Sequence, residues 1–237
     1  MWSAARARSD HSARASALIP RTPYLPPSAV ADFANLRIGI LGGSFNPAHE
    51  GHRHISLLAL KHLALDELWW LVSPQNPLKS SDDMAPFAER FAGAKAMAQH
   101  PRIRVTDLES RLGTRYTADT LRTLTRRFPR THFVWIMGAD NLRQIAHWRN
   151  WTLIFRTMPI AVFDREPYVW GALAGHAARR FRHYRWQQNH AAQLALAKPP
   201  AWVFFHTRRH PASATAIRAG RRVAARNRRT APEPSPG

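Results

Sequence analysis

The run Gly42-Gly43-Ser44-Phe45-Asn46-Pro47-Ala48-His49-Glu50-Gly51-His52 brings glycines and two imidazoles close together in sequence. Glycine has no Cβ, so the backbone at Gly42 and Gly43 can come close to a phosphate. Gly51 likewise leaves room for a nucleotide beside the chain. A helix starting here would offer unpaired N–H groups and the positive end of its dipole to an anion. His49 and His52 are three apart, a spacing that lets both rings face that anion from a first helical turn. Other chemistries fit less well. A zinc-protease motif beginning at His49-Glu50 needs histidine at position 53, which is Arg53. A zinc centre of His49, His52 and His54 has no thiolate or clustered carboxylate to complete it. The residue types therefore point to phosphate.

Such a turn has to be held by regular elements, and the sequence supplies them on both sides. Arg37-Ile38-Gly39-Ile40-Leu41 is a short apolar run closed by Gly42-Gly43, the pattern of a buried strand. A helix is expected from about Gly51 to Leu63. Further strands are expected at Leu68–Val72, Ile103–Leu108, Thr131–Met137, Ile160–Phe163 and Ala201–Phe205, with helices at Pro86–Ala98 and Thr117–Phe128. Strands alternating with helices imply an α/β class, a single-domain Rossmann-like parallel sheet flanked by helices and joined by right-handed crossovers. Ligands bind such sheets beyond the carboxyl ends of the strands, so the chemistry should lie just after each strand.

Composition narrows the class further. Hydrophobic residues make up 45% of the 237, enough for a substantial core, and there is no cysteine. Disulfides, thiolate metal sites and cysteine nucleophiles are excluded, and a reducing cytoplasm is the expected location. No apolar run approaches the roughly 20 residues needed to span a bilayer, and the chain reads as soluble. The formal charge is +20, of which +2 falls in residues 1–36, +4 in residues 219–237 and the rest in the body. A body so positive attracts polyanions, nucleotides among them. Residues 1–36 read as a disordered basic extension in preference to a transit peptide, residues 37–220 as the domain, and 221–237 as a disordered basic tail.

Gly-Gly-Ser-Phe-Asn-Pro-x-His-x-Gly-His resembles the signature of the nicotinate mononucleotide adenylyltransferases, within the superfamily that carries His-x-Gly-His. The resemblance extends over roughly residues 37–220. Asn46 stands where the family commonly has Asp, keeping shape and losing a charge. Ser73-Pro74-Gln75-Asn76-Pro77-Leu78-Lys79 is similar to the family's proline-bounded substrate loop, and Arg115-Tyr116-Thr117-Ala118-Asp119-Thr120 to its Tyr-Thr segment. Met137-Gly138-Ala139-Asp140 matches the stretch whose aspartate meets a ribose, although Asp140 could instead cap the next helix. Trp148 and Trp151 match its Trp-x-x-Trp, and Trp148 is the expected stacking ring. Ser213-Ala214-Thr215-Ala216-Ile217-Arg218 resembles the family's Ser-Ser-Thr-x-Ile-Arg motif, with one hydroxyl lost at Ala214.

The resemblance implies adenylyl transfer from ATP to nicotinate mononucleotide, releasing pyrophosphate. Gly42, Gly43, Ser44, Phe45, Gly51, Ser213 and Thr215 are expected to bind ATP, with His49, His52 and Arg218 on the reacting phosphates. Asn46, Lys79, Tyr116, Thr117, Asp140 and Trp148 are expected to bind the mononucleotide. Magnesium is expected as a bridge between triphosphate oxygens, with no dedicated protein metal site. With no covalent nucleophile evident, catalysis would be positioning and charge neutralisation. The rival readings are a sister transferase for nicotinamide mononucleotide, phosphopantetheine or a CTP-activated alcohol phosphate, and a basic nucleic-acid-binding module.

Overall fold

A computed structural model describes residues 32–74, 84–164 and 169–207. Seven strands form one sheet: β1 (Arg37–Gly43), β2 (Glu67–Val72), β3 (Ile103–Thr106), β4 (His132–Gly138), β5 (Ile160–Phe163), β6 (Arg185–Trp186) and β7 (Trp202–Phe205). Their order is β3-β2-β1-β4-β5-β7-β6, and every pair is parallel. The helices are α1 (Glu50–His62), α2 (Phe87–Ala98), α3 (Leu108–Arg111), α4 (Thr117–Arg127), α5 (Ala139–Gln144), α6 (Trp151–Thr157), α7 (Val169–Leu173) and α8 (His176–Arg180).

Both faces of the sheet are covered, which is why its strands read as apolar runs and not as alternating ones. Successive side chains still alternate between two cores. Ile38, Ile40, Trp69, Leu71, Trp135 and Val162 pack under α4, α5 and α6. Leu41, Leu68, Trp70, Val134, Ile136 and Phe163 pack under α1, α2 and the 3₁₀ turns at Gln188–Leu196. Fully burying each large apolar side chain contributes about 1.5–3 kcal/mol. Trp70 is fully buried, and its indole N–H donates to the Ser56 hydroxyl (2.8 Å), which donates to the His52 carbonyl (2.8 Å). That chain of bonds ties β2 to the start of α1.

The strand order decides where a ligand can sit. From β1 the chain moves outward to β2 and β3, then returns across β1 to form β4 on the other side. The connections from β1 and β4 therefore diverge, opening a crevice at their carboxyl ends. The turn carrying His49 and His52 leaves β1 there, and Asp140 follows β4.

Several elements differ from expectation. Gly42 and Gly43 close β1 as its last two residues and are not a turn beyond it. The stretch from Val169 to Leu196 folds into short helices, 3₁₀ turns and the two-residue β6, none long enough to show a hydrophobic period. The fold also begins before residue 37. The Phe33 ring meets Trp69 edge-on with centroids 4.9 Å apart, and its carbonyl accepts from the Thr131 hydroxyl at 2.7 Å. The tail at 221–237 lies outside the described residues. Among the described residues, no helix is long and apolar enough to cross a membrane.

Candidate active site

After β1 the chain turns through Ser44 and Phe45 into α1. Phe45 adopts a φ of 46°, in the left-handed region, which costs a bulky residue about 1–3 kcal/mol. Packing holds it there: the ring is 1% exposed and stacks on Trp70 at 4.9 Å. With the ring in the core, only the main chain of Phe45 could meet a nucleotide. Gly42 has a packing reason as well, because a Cβ there would collide with the Trp135 indole. A Cβ on Gly43 would meet only the Phe45 ring, at an ordinary 3.5 Å. Close approach to a ligand therefore concerns Gly43, whereas Gly42 is set by the core.

His49 is not on the first turn of α1 but is its N-cap. Its backbone is extended, and its Nδ1 accepts the Gly51 N–H at 3.1 Å. In return the His49 N–H donates to His52 Nδ1 at 3.3 Å. This is a capping box in which imidazoles take the places of the usual hydroxyl and carboxamide. It has a chemical consequence. A ring whose Nδ1 accepts an N–H carries its proton on Nε2 when neutral, so both rings are donors at Nε2. The ring centroids lie 3.9 Å apart, and the His52 ring packs 4.9 Å from Phe45. Two N–H donors side by side at a helix N-terminus suit a phosphate.

The same turn is anchored from below by a side chain not anticipated from sequence. Arg90, on α2, is 3% exposed. Its guanidinium donates to four carbonyls: Ser44 at 2.6 Å, Ser73 at 2.8 Å, Pro74 at 2.9 Å and Ala85 at 2.9 Å. Burial pulls its pKa below the ordinary arginine value. Helical spacing was the available signal, since Arg90 shares one buried stripe of α2 with Ala94 and Ala98. Asn46 braces the same region, its side-chain oxygen accepting the Ala85 N–H at 3.4 Å. Lys79 lies outside the described residues.

Tyr116 is the N-cap of α4, with an extended backbone and no side-chain capping bond, and Thr117 opens the helix. Arg149 sits 4.7 Å above the Tyr116 ring, a cation–π contact that brings the segment beside Trp148 to this helix end. A second unanticipated residue, Glu109, lies behind it. Burial raises the Glu109 pKa, against hydrogen bonds from Ser73 and Thr120 that pull it down. The Thr120 bond is 3.1 Å. Glu109 thus links the end of β2 to α4, but nothing in Leu108-Glu109-Ser110-Arg111 marks it out.

Asp140 is not the cap of α5; Gly138 holds that position and Asp140 lies in the first turn, half-buried. Trp148 and Trp151 do not share a helix. Trp148 is extended at the end of a 3₁₀ turn, Asn150 is left-handed with φ 53°, and Trp151 then opens α6. Trp151 is committed to edge contacts with Phe155, His176 and Phe181. Trp148 packs on the core only in part. Ser213, Thr215 and Arg218 lie outside the described residues. The strand that leads toward them, β7, ends at the same carboxyl edge, on the far side of β5 from β4. A groove of about 570 Å³ lined by Arg182, Arg185, Trp186 and Phe204 sits at the β6 edge, and none of the described candidate residues lines it.

The cytidylyltransferase-like family pattern matches residues 40–220. A protein of Parvibaculum lavamentivorans, named a probable nicotinate-nucleotide adenylyltransferase, is 52% identical over 183 residues, covering 77% of this chain and 91% of that one. A protein of Methylorubrum extorquens with the same name is also 52% identical over 183 residues, covering 77% of this chain and 99% of its own. The chain belongs to the nicotinate-nucleotide adenylyltransferase family. Plasmodium falciparum nicotinic acid mononucleotide adenylyltransferase, solved with NaAD, matches at a TM-score of 0.57 and 18% identity, over 78% of this chain and 83% of that one. The same enzyme solved with APC matches at 0.55 and 17%, with the same coverage. At that identity the likeness is one of fold. As a nicotinate-nucleotide adenylyltransferase, the chain is a nucleotidyltransferase of NAD biosynthesis, built on the α/β sheet described above.

Proposed function

We propose that the chain transfers the adenylyl group of ATP to nicotinate mononucleotide, giving deamido-NAD and pyrophosphate. The observation that carries the site assignment is the reciprocal imidazole cap at the β1–β4 crevice, which makes His49 and His52 adjacent Nε2–H donors. A phosphate oxygen of the mononucleotide attacks the α-phosphorus of ATP. The bond from that phosphorus to the bridging oxygen breaks, and pyrophosphate leaves. The enzyme's part is to align the two reactants and to stabilise the charge that builds on the phosphoryl oxygens.

In this reading His52 donates to the α-phosphoryl group and His49 to the phosphates beside it. The main chain at Gly43, Ser44 and Phe45, with Gly51, lies along the nucleotide. Ser213, Thr215 and Arg218 hold the leaving pyrophosphate, and Lys79 adds a cation. Asp140 accepts from a ribose hydroxyl, Trp148 stacks on the pyridine, and the N–H groups at Tyr116 and Thr117 face its carboxylate, where the α4 dipole favours negative charge. Among the described residues, no three His, Asp or Glu side chains gather around a metal position. Magnesium would enter as part of the ATP substrate, held by phosphate oxygens and water and neutralising their charge. The reaction is assigned to the cytoplasm.

The test is pyrophosphate release from ATP and magnesium with nicotinate mononucleotide, nicotinamide mononucleotide or phosphopantetheine as acceptor. Preferential turnover of the nicotinate compound is expected. Preference for another acceptor would make the chain a sister transferase, and polynucleotide binding without turnover would reject the enzyme reading.

A further inference from the structure

The four carbonyls around Arg90 come from three separate stretches of chain: the turn after β1 (Ser44), the end of β2 (Ser73 and Pro74) and the approach to α2 (Ala85). The first of these carries the imidazole cap, and the second begins the loop expected to hold the mononucleotide. Among the described residues no carboxylate pairs with Arg90. Its donors are directed at main-chain oxygens, in a planar fork that lysine cannot reproduce. In a trans peptide the C=O and the following N–H point in opposite directions. Holding the Ser44 carbonyl on Arg90 therefore turns the Phe45 N–H the other way. Phe45 is also the residue whose left-handed backbone needs an outside constraint.

We infer that Arg90 is a positioning residue for the transfer reaction: one buried guanidinium sets the orientation of the Ser44–Phe45 peptide and fixes its spacing from the Ser73–Pro74 carbonyls, so that the ATP turn and the acceptor loop are held by a common anchor. The inference rests on the reading of the β1 turn as the triphosphate site. Arg90 touches neither substrate and acts through the backbone it holds. A misplacement of about 1 Å at a reacting centre costs on the order of a hundredfold in rate, and a shift of that size is what losing the anchor would allow.

The experiment compares wild type, Arg90→Met, Arg90→Lys and His52→Ala by pyrophosphate release, with KM for ATP and for nicotinate mononucleotide determined separately. Near-UV circular dichroism and the melting temperature define the folded fraction. In folded Arg90→Met we expect kcat/KM to fall on the order of a hundredfold, with KM raised for both substrates. Arg90→Lys should recover only part of the loss, because it restores charge without the fork. A merely structural Arg90 would lower the melting temperature and leave kcat and both KM values of the folded fraction at wild-type levels, and that result overturns the inference. If Arg90→Met does not fold, Arg90→Lys decides by the same criterion. Loss of turnover in His52→Ala alongside normal kinetics in the Arg90 variants would sink the anchor and spare the site. Absence of ATP-dependent turnover in wild type would sink both.

Discussion

His49 caps α1 and, in the proposed function, also donates to a phosphate, which makes its substitution informative. As the N-cap of α1 it accepts the Gly51 N–H through Nδ1; as a ligand it would donate through Nε2. His49→Ala loses both, and the capping loss alone costs about 0.5–2 kcal/mol. Asparagine is a good N-cap whose side-chain oxygen can take over the acceptor role. His49→Asn is therefore expected to unfold in urea within about 0.5 kcal/mol of wild type while losing turnover. His52→Ala should lower kcat on the order of a hundredfold, the scale of losing one oxyanion donor. Full turnover in His49→Asn, with stability and rate lost together in His49→Ala, would show that the cap is all that matters. Glu109 provides a pH test. Its pKa is raised in the folded protein, mainly by burial, so folding favours its protonated form. Stability from this group is fully present at pH below the unfolded carboxylate pKa, falls as pH rises between the unfolded and folded values, and then levels off. Glu109→Gln is always neutral. Its melting temperature relative to wild type should rise with pH across that window and stay higher above it; a constant difference would refute the burial argument.

Gly42 and Gly43, the last two residues of β1, separate packing from ligand approach. A Cβ on Gly42 would run into the Trp135 ring, whereas one on Gly43 has room beside Phe45. Gly42→Ala is thus expected to cost about 1–3 kcal/mol, as overpacking does, measured by chemical denaturation. Gly43→Ala should unfold nearly as wild type does and show its effect in a raised KM for ATP. Sequence could not tell these glycines apart. The Trp135 ring that Gly42 must fit belongs to a strand the chain reaches only after many intervening residues, so that constraint is invisible locally. The same is true of Trp148 and Trp151. A spacing of three fits one helical face, yet the left-handed Asn150 separates the two.

The boundary of the folded body is a property of the whole molecule. Phe33 packs on Trp69 and Phe128, and the Asn35 N–H donates to the Arg130 carbonyl at 2.7 Å. Removing residues 1–31 is expected to leave turnover and melting temperature unchanged. Removing residues 1–36 should cost on the order of 1–2 kcal/mol from the lost aromatic burial, visible as a lower melting temperature. A four-residue turn carries no period, which is why this boundary was not legible. Six of the strands, with α1, α2 and α4, were legible, because hydrophobic runs, glycine turns and capping residues are local consequences of burial and backbone geometry; the two-residue β6 was not. That His49 lies near His52 was legible from their spacing, although the spacing alone put both on the first turn and His49 is instead the N-cap. The Arg90 anchor and the Glu109 link were decided only in three dimensions. Each depends on which distant carbonyls and hydroxyls the ends of β1 and β2 and the helices packed there bring together, and no short stretch of chain contains that information.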